Sequence, residues 1–373
     1  MKKILLYSLL LLLGLVGSQL LAGTGKAWIN IGTMFCLSFI MIHVGYEFEM
    51  DKSKPKQYAW DYIVAGTAAA FPWLFCAGYF VWVMGMDSWK EALLIARFSS
   101  PTSAGVLFAM LAAGGLAATW VFRKARILAI FDDLDTILLM IPLKILMVGM
   151  KWQLLVIVLV IMGLLWLAWH YLHTWRLPVN WPWMMLYASV ITGVCEAIYL
   201  MSQLIDEVVP VHLEVLLPAF VLGCLLARPI EHDPHRTTEV QGSLEEIKAS
   251  TEQVVASIIA AIFMLLVGLS MPVIPHDDIN WSLIAGHVAL ITLLSNLGKM
   301  FPLLCYRQEA TLRERLALSI AMFPRGEVGA GVLVVSMSYG LAGTVITVAV
   351  LSLALNLLLT GLFITIVQRL LRY

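Results

Sequence analysis

Apolar residues follow one another along this chain in runs long enough to cross a bilayer, which takes about 20 residues per helix. Twelve such runs are counted, at roughly 4–22, 28–46, 61–84, 91–121, 127–149, 153–175, 181–203, 209–227, 253–272, 281–304, 312–338 and 341–367. The pattern predicts an all-α membrane protein of about twelve transmembrane helices. Composition agrees, since 61% of the 373 residues are hydrophobic and only 13% are charged. The first run, "ILLYSLLLLLGLVG" behind Lys2 and Lys3, has the form of a signal peptide. Eleven more spans follow, so it is read as an uncleaved first helix.

Basic residues in the loops set the orientation. With the N-terminus inside, 17 of the 24 Lys and Arg fall on the inner side and only Lys26, Lys90 and Lys151 on the outer side. Arg97, Lys144, Lys299 and Arg325 fall within spans. Both termini are thereby placed in the cytoplasm. The net charge of zero averages over two sides of a membrane and excludes no partner. Cys36, Cys76, Cys195, Cys224 and Cys305 are scattered singly with no CxxC pair, so they read as small buried hydrophobes rather than metal or redox groups. His232 and His235 lie in the longest polar stretch, 228–252, read as a connector with a helical second half.

Two runs interrupt themselves. "RFSSPTSAG" (97–105) puts Pro101 among Ser99, Ser100, Thr102 and Ser103, and "FPRGEVGAG" (323–331) puts Pro324, Gly326 and Gly329 around Arg325 and Glu327. Irregular backbone at membrane depth survives only where protein or a water-filled cavity satisfies its polar groups. Pro101 comes 40 residues after Asp61, at the start of the third run, and Pro324 comes 43 after Trp281, at the start of the tenth. By the charge topology these runs point in opposite directions. An inverted repeat of three helices gives that layout, and breaks at matching places mark a transporter's binding site.

"FDDLDT" (131–136) adds three carboxylates to the fifth run. Ionisable residues inside a membrane are costly and usually face a bundle interior or an aqueous cavity. On a helix Asp132 and Asp133 stand about 100° apart and reach different neighbours. One can bind an ion while the other holds a structural or titrating partner. Lys299, in "SNLGKMFP", is the leading partner candidate. Paired aspartates also suggest an intramembrane aspartyl protease. Adjacent aspartates on one helix cannot face each other, however, and the chain has no Gly-Asp dipeptide, so it is read as a non-enzyme without a cofactor. A channel or an organic-anion symporter on a similar inverted repeat stays open.

With "FDDLDT" after a Ser/Thr/Pro-broken span, a lysine in "GK" of the tenth span and "PRGEVG" in the eleventh, the chain resembles the monovalent cation/proton antiporters with paired aspartates, the NhaA- and NapA-type sodium/proton exchangers. The resemblance implies two broken helices crossing near the bilayer centre in a core of two repeats, 61–150 and 281–373. Beside it would stand panel helices that mediate a homodimer, 1–60 and 151–280. It implies that Asp133 binds cation and proton alternately, that Asp132 pairs with Lys299, that Thr102 and Ser103 add oxygen ligands, and that Arg325 and Glu327 balance charge at the crossing. Sodium is the first choice of cation, with potassium or lithium as alternatives, and exchange is electrogenic if Lys299 releases a second proton. The setting implied is a prokaryotic inner membrane, with a role in pH homeostasis. Asp135, Arg97, Lys144 and Glu196 depart from the family pattern. Arg97, Lys144 and Glu196 fall in the outer halves of their spans, where they could form an ion-pair set at an outward vestibule.

Overall fold

A computed structural model describes residues 2–21, 25–48, 53–149, 152–205, 215–227, 239–273 and 281–372. In chain order its helices are α1 (Lys2–Leu20), α2 (Lys26–Tyr46), α3 (Pro55–Trp82), α4 (Trp89–Ala96), α5 (Ala104–Ala113), α6 (Trp120–Val148) and α7 (Trp152–His170). There follow α8 (Trp181–Ile205), α9 (Leu216–Leu225), α10 (Glu239–Leu269), α11 (Trp281–Gly298), α12 (Leu312–Ala321), α13 (Glu327–Ser338) and α14 (Thr344–Leu371). Among the described residues there is no strand, only an isolated bridge between Trp175 and Leu226. Taking α4 with α5 and α12 with α13 as interrupted crossings, the helices of the described residues group into twelve segments. Residues 228–238 of the polar connector lie outside the described residues, and its second half is helical in α10.

Two compact units make up the chain. The first comprises Met1–Ile29, Asp51–Gly149 and Met264–Tyr373, and the second Asn30–Met50 and Met150–Phe263. Within the first, α3, α4–α5 and α6 repeat the order of α11, α12–α13 and α14.

Among the described residues, eight segments are long and apolar enough to cross a membrane by length and composition alone. α6 fails that description because of its own charges, although it runs for 29 residues. Tryptophans near helix ends stay exposed, as Trp28, Trp82, Trp152 and Trp281 do. Such amphipathic rings suit the headgroup level of a bilayer.

The boundary between the fourth and fifth spans differs from the sequence expectation. Apolarity alone extends the fourth run to 121, but α5 ends at Ala113 and α6 already begins at Trp120. Gly115 turns the chain with φ +75°, where a side chain would be strained. The Thr119 hydroxyl then accepts from the Phe122 amide and starts α6. Residues 116–119 are thus a short turn, which places the three aspartates in mid-helix.

α3 and α11 approach so closely that a Cβ on Gly298 would lie 2.6 Å from Pro72 Cδ. Only glycine permits this contact, and it brings the end of α11, with Lys299 immediately after it, into the centre of the first unit.

Candidate functional site: a charged junction between two broken helices

Each break is satisfied by the other. α4 stops at Ala96, a 3-10 turn covers Arg97–Ser99, and the chain runs to Ser103, whose hydroxyl accepts from the Val106 amide and starts α5. α12 stops at Ala321 and α13 begins after Gly326. Between the two, the Ser103 amide donates to Pro324 O at 2.9 Å and the Thr102 hydroxyl to Met322 O at 3.0 Å. A Cβ on Gly329 would lie 2.9 Å from the Phe98 carbonyl oxygen. The two interrupted spans therefore meet backbone to backbone.

Arg325 gathers one carbonyl from each interruption together with two oxygens of α11. Its Nε donates to Ser99 O at 2.7 Å, Nη1 to Phe323 O at 3.0 Å and to Asn296 Oδ1 at 2.7 Å, and Nη2 to Ser295 O at 2.8 Å. One guanidinium thus joins the first break, the second break and α11. Its fixed fork of donors suits it to this, and it is fully buried.

Lys299 Nζ donates to Asp132 Oδ2 at 2.6 Å, and both side chains are inaccessible to solvent. The same oxygen accepts the Thr102 amide at 2.8 Å. Asp132 Oδ1 accepts no hydrogen bond from any described residue. The carboxylate sits at the amino end of α5, where a helix dipole favours negative charge. Asp133, one residue on and 3% exposed, lies within electrostatic reach of Lys299.

Asp135 stands apart from this pair. Its Oδ1 accepts from the Tyr62 hydroxyl at 2.8 Å, and its Oδ2 lies against Gly66, where a Cβ would come within 2.7 Å. Arg97 donates to the Asp135 backbone carbonyl at 2.9 Å and to the Ser100 hydroxyl at 3.0 Å, and it lies 4.9 Å over the Trp73 ring.

The structure thus brings together Asp132, Asp133, Thr102, Ser103, Lys299 and Arg325, with Asp135 and Arg97 beside them. Glu327 opens α13, but its side chain lies outside the described residues, as does that of Lys144. Glu196, partly buried on α8, belongs to the second unit. Sequence reading missed Asn296 and Tyr62 as partners, and neither carries a charge to mark it. It also missed a second ionic cluster, in which Lys124 lies between Asp61 and Glu309. The signal available for that cluster was the aspartate at the start of the third apolar run.

Such a junction, buried between two interrupted helices in an all-helical chain, defines the class as an all-α membrane transporter. The model of the family "Sodium/hydrogen exchanger, transmembrane" matches residues 3–370, so the chain belongs to that family, and its activity is cation/proton exchange. A solved structure, that of the sodium proton antiporter MjNhaP1 from Methanocaldococcus jannaschii at pH 8, is similar in fold at a TM-score of 0.58 and 15% sequence identity. That likeness covers 98% of this chain and 91% of the other. No curated protein sequence matches the chain significantly.

Proposed function

We propose that the chain exchanges sodium for protons by alternating access, with Asp133 holding the cation and the proton in turn. The observation that carries this reading is the fully buried Asp132–Lys299–Thr102 junction at the meeting of the two breaks, with Asp133 adjacent on the same helix. Hard cations prefer oxygen ligands. The Asp133 carboxylate, the Thr102 and Ser103 hydroxyls and the free oxygen of Asp132 supply them. Protonated Asp133 has lost the charge that attracts a cation, so the two loads exclude each other.

If only a loaded site crosses between the two faces, the fluxes are coupled without covalent chemistry. Lys299 adds the second proton: a cation drawing on Asp132 weakens the pair, the ammonium deprotonates, and two protons exchange for one cation. Exchange is then electrogenic. Residues 61–150 and 281–373 form the moving core; 61–149 and 281–373 fall in the first compact unit. The panel, residues 1–60 and 151–280, carries the contact of a homodimer. Glu327, two residues after Arg325 in sequence, shares in the charge balance at the crossing. The setting is a prokaryotic inner membrane with both termini inside, and the service is pH homeostasis.

Sodium-driven proton flux in proteoliposomes, recorded with and without an imposed potential, tests the reading. Asp133→Asn keeps the shape of the side chain and removes its charge and titration, so flux should vanish while the purified protein remains folded. Unaltered flux in a well-folded Asp133→Asn variant overturns the assignment. Flux driven by potassium or lithium but not by sodium overturns the choice of ion.

A further inference from the structure

Three helices of the second unit end beside one histidine. α2 ends at Tyr46, α7 at His170 and α9 at Leu225. His173, on the connector after α7, faces the Leu226 carbonyl oxygen with Nδ1 at 2.9 Å and the Phe48 carbonyl oxygen with Nε2 at 3.1 Å. Phe48 follows the end of α2 by two residues, and Leu226 follows α9 directly. The last carbonyls of a helix lack partners within it and carry partial negative charge. A cation is favoured where such ends converge.

The backbone around His173 is pinned. Its amide donates to Cys224 O, the Trp175 amide to Leu225 O and the Ala227 amide to Trp175 O, each at 2.8 Å. These bonds hold the connector on the end of α9 whatever the charge of the ring. His173 itself has φ +54°, in the left-handed region that histidine enters more readily than most side chains. α2 and α9 are already in close contact one turn earlier, where a Cβ on Gly223 would lie 2.9 Å from Gly45 Cα. The ring adds the tie between the connector and the end of α2.

That tie depends on a proton. A carbonyl oxygen only accepts, and imidazolium donates from both ring nitrogens whereas imidazole donates from one. The charged ring therefore serves Phe48 and Leu226 together, and the neutral ring turns a lone pair on one of them. His173 is partly exposed, so water reaches it. The other titratable groups on the elements that meet here are His43, Tyr46 and Glu47 at the end of α2, His170 and Tyr171 at the end of α7, Arg176 on the connector, Tyr187 on α8 and Cys224 on α9. His43 is engaged with Phe39 O, His170 stacks on Trp166, and the Tyr187 hydroxyl donates to Pro178 O. Glu49, Asp51, Lys52 and Arg228 lie outside the described residues.

We propose that His173 is a proton-binding site separate from the transport site: protonated, it clasps the connector to the ends of both α2 and α9, and on losing its proton it lets one of them go. The clasp is whole at acid pH and is lost as pH rises through the interval of about pH 5 to 8 in which histidine changes charge. The charge topology puts these helix ends at the inner face, so the site reads the pH of the inner compartment. In that respect the inference rests on the proposed inward termini. The proton held here is not carried, and its mark on transport is a maximal rate that follows inner pH when sodium saturates the exchange site.

Hydrogen exchange of the full-length protein in nanodiscs, followed by mass spectrometry at about pH 6 and about pH 8 and corrected for intrinsic exchange, reads the clasp directly. Amides of residues 171–178 should lose protection by about tenfold at the higher pH, the lower end of what a hydrogen bond to a charged group contributes. His173→Asn suits the left-handed backbone and cannot carry charge, so its connector should show the weaker protection at both pH values. Unchanged wild-type protection, a pH response that persists in His173→Asn, or an equal loss of protection along the whole chain each overturns the proton site. Asp133→Asn should keep the connector's response, and a response that vanishes there belongs to the transport site and overturns the clasp. In sealed oriented vesicles at saturating sodium, the maximal rate of His173→Asn should depend less on inner pH than that of wild type. Equal dependence overturns the link to transport. A wild-type rate that follows outer pH through His173 overturns the inward placement, while the role of Asp133 is decided separately by the flux of Asp133→Asn.

Discussion

Removing Asp132 should damage the protein more than removing its partner. The pair is 2.6 Å long with both side chains inaccessible. At an effective dielectric of about 20, attraction at that distance is roughly 6 kcal/mol. Desolvation of both ions offsets most of it, so the net worth of the pair is small while breaking it is costly. In Asp132→Asn, Lys299 is left with Asp133 and with the like charge of Arg325. Removing the hydrogen-bonded partner of a buried ammonium costs about 3–5 kcal/mol. In Lys299→Gln, Asp132 keeps the Thr102 amide and the electrostatic reach of Arg97 and Arg325. The loss there is about 1–3 kcal/mol, the range for a hydrogen bond to a charged group. Asp132→Asn/Lys299→Gln removes both charges and should be more stable than Asp132→Asn alone, giving a coupling of about 2 kcal/mol. Thermal unfolding of the four detergent-purified proteins at one pH and salt concentration measures the ranking. If the double variant falls by the sum of the single losses, or if Lys299→Gln is the less stable single variant, the pair is not the closed unit described here.

Two further outcomes follow from the crossing. Arg325→Lys keeps the charge but cannot span Ser99, Phe323, Asn296 and Ser295 together. It should cost about 3 kcal/mol or more from carbonyls left unsatisfied and largely abolish flux; thermal unfolding and flux near wild-type values would show that the fork is dispensable. Gly298→Ala should force α3 and α11 apart at Pro72, costing about 1–3 kcal/mol as overpacking does, and Gly286→Ala, which has open space around it, serves as the control. Equal unfolding temperatures for the two alanine variants would refute the close contact.

The run lengths, the two Ser/Pro/Gly interruptions, the adjacent aspartates and the lysine near the end of the tenth run are all local properties of the sequence. Each is legible because a bilayer penalises charge and unpaired backbone wherever they occur. What could not be read locally is which groups meet. Asp132 and Asp133 differ by about 100° of helix rotation, and only the packing of α6 against α11 and the first break decides that Lys299 and the Thr102 amide face Asp132. Arg325 is conspicuous in sequence, but its partners are three backbone carbonyls and an asparagine, and backbone carbonyls carry no sequence signature. Asp135 looks like a third member of the pair, yet helix geometry turns it toward Tyr62, and Arg97 takes its carbonyl instead of its carboxylate. Lys124, counted in sequence with the inner loop charges, is drawn inside because α6 begins at Trp120, several residues before apolarity alone would start it. Asp61 and Glu309 lie 248 residues apart in the chain, and it is the return of the α11–α12 connector to the ends of α3 and α6 that sets them on either side of one lysine.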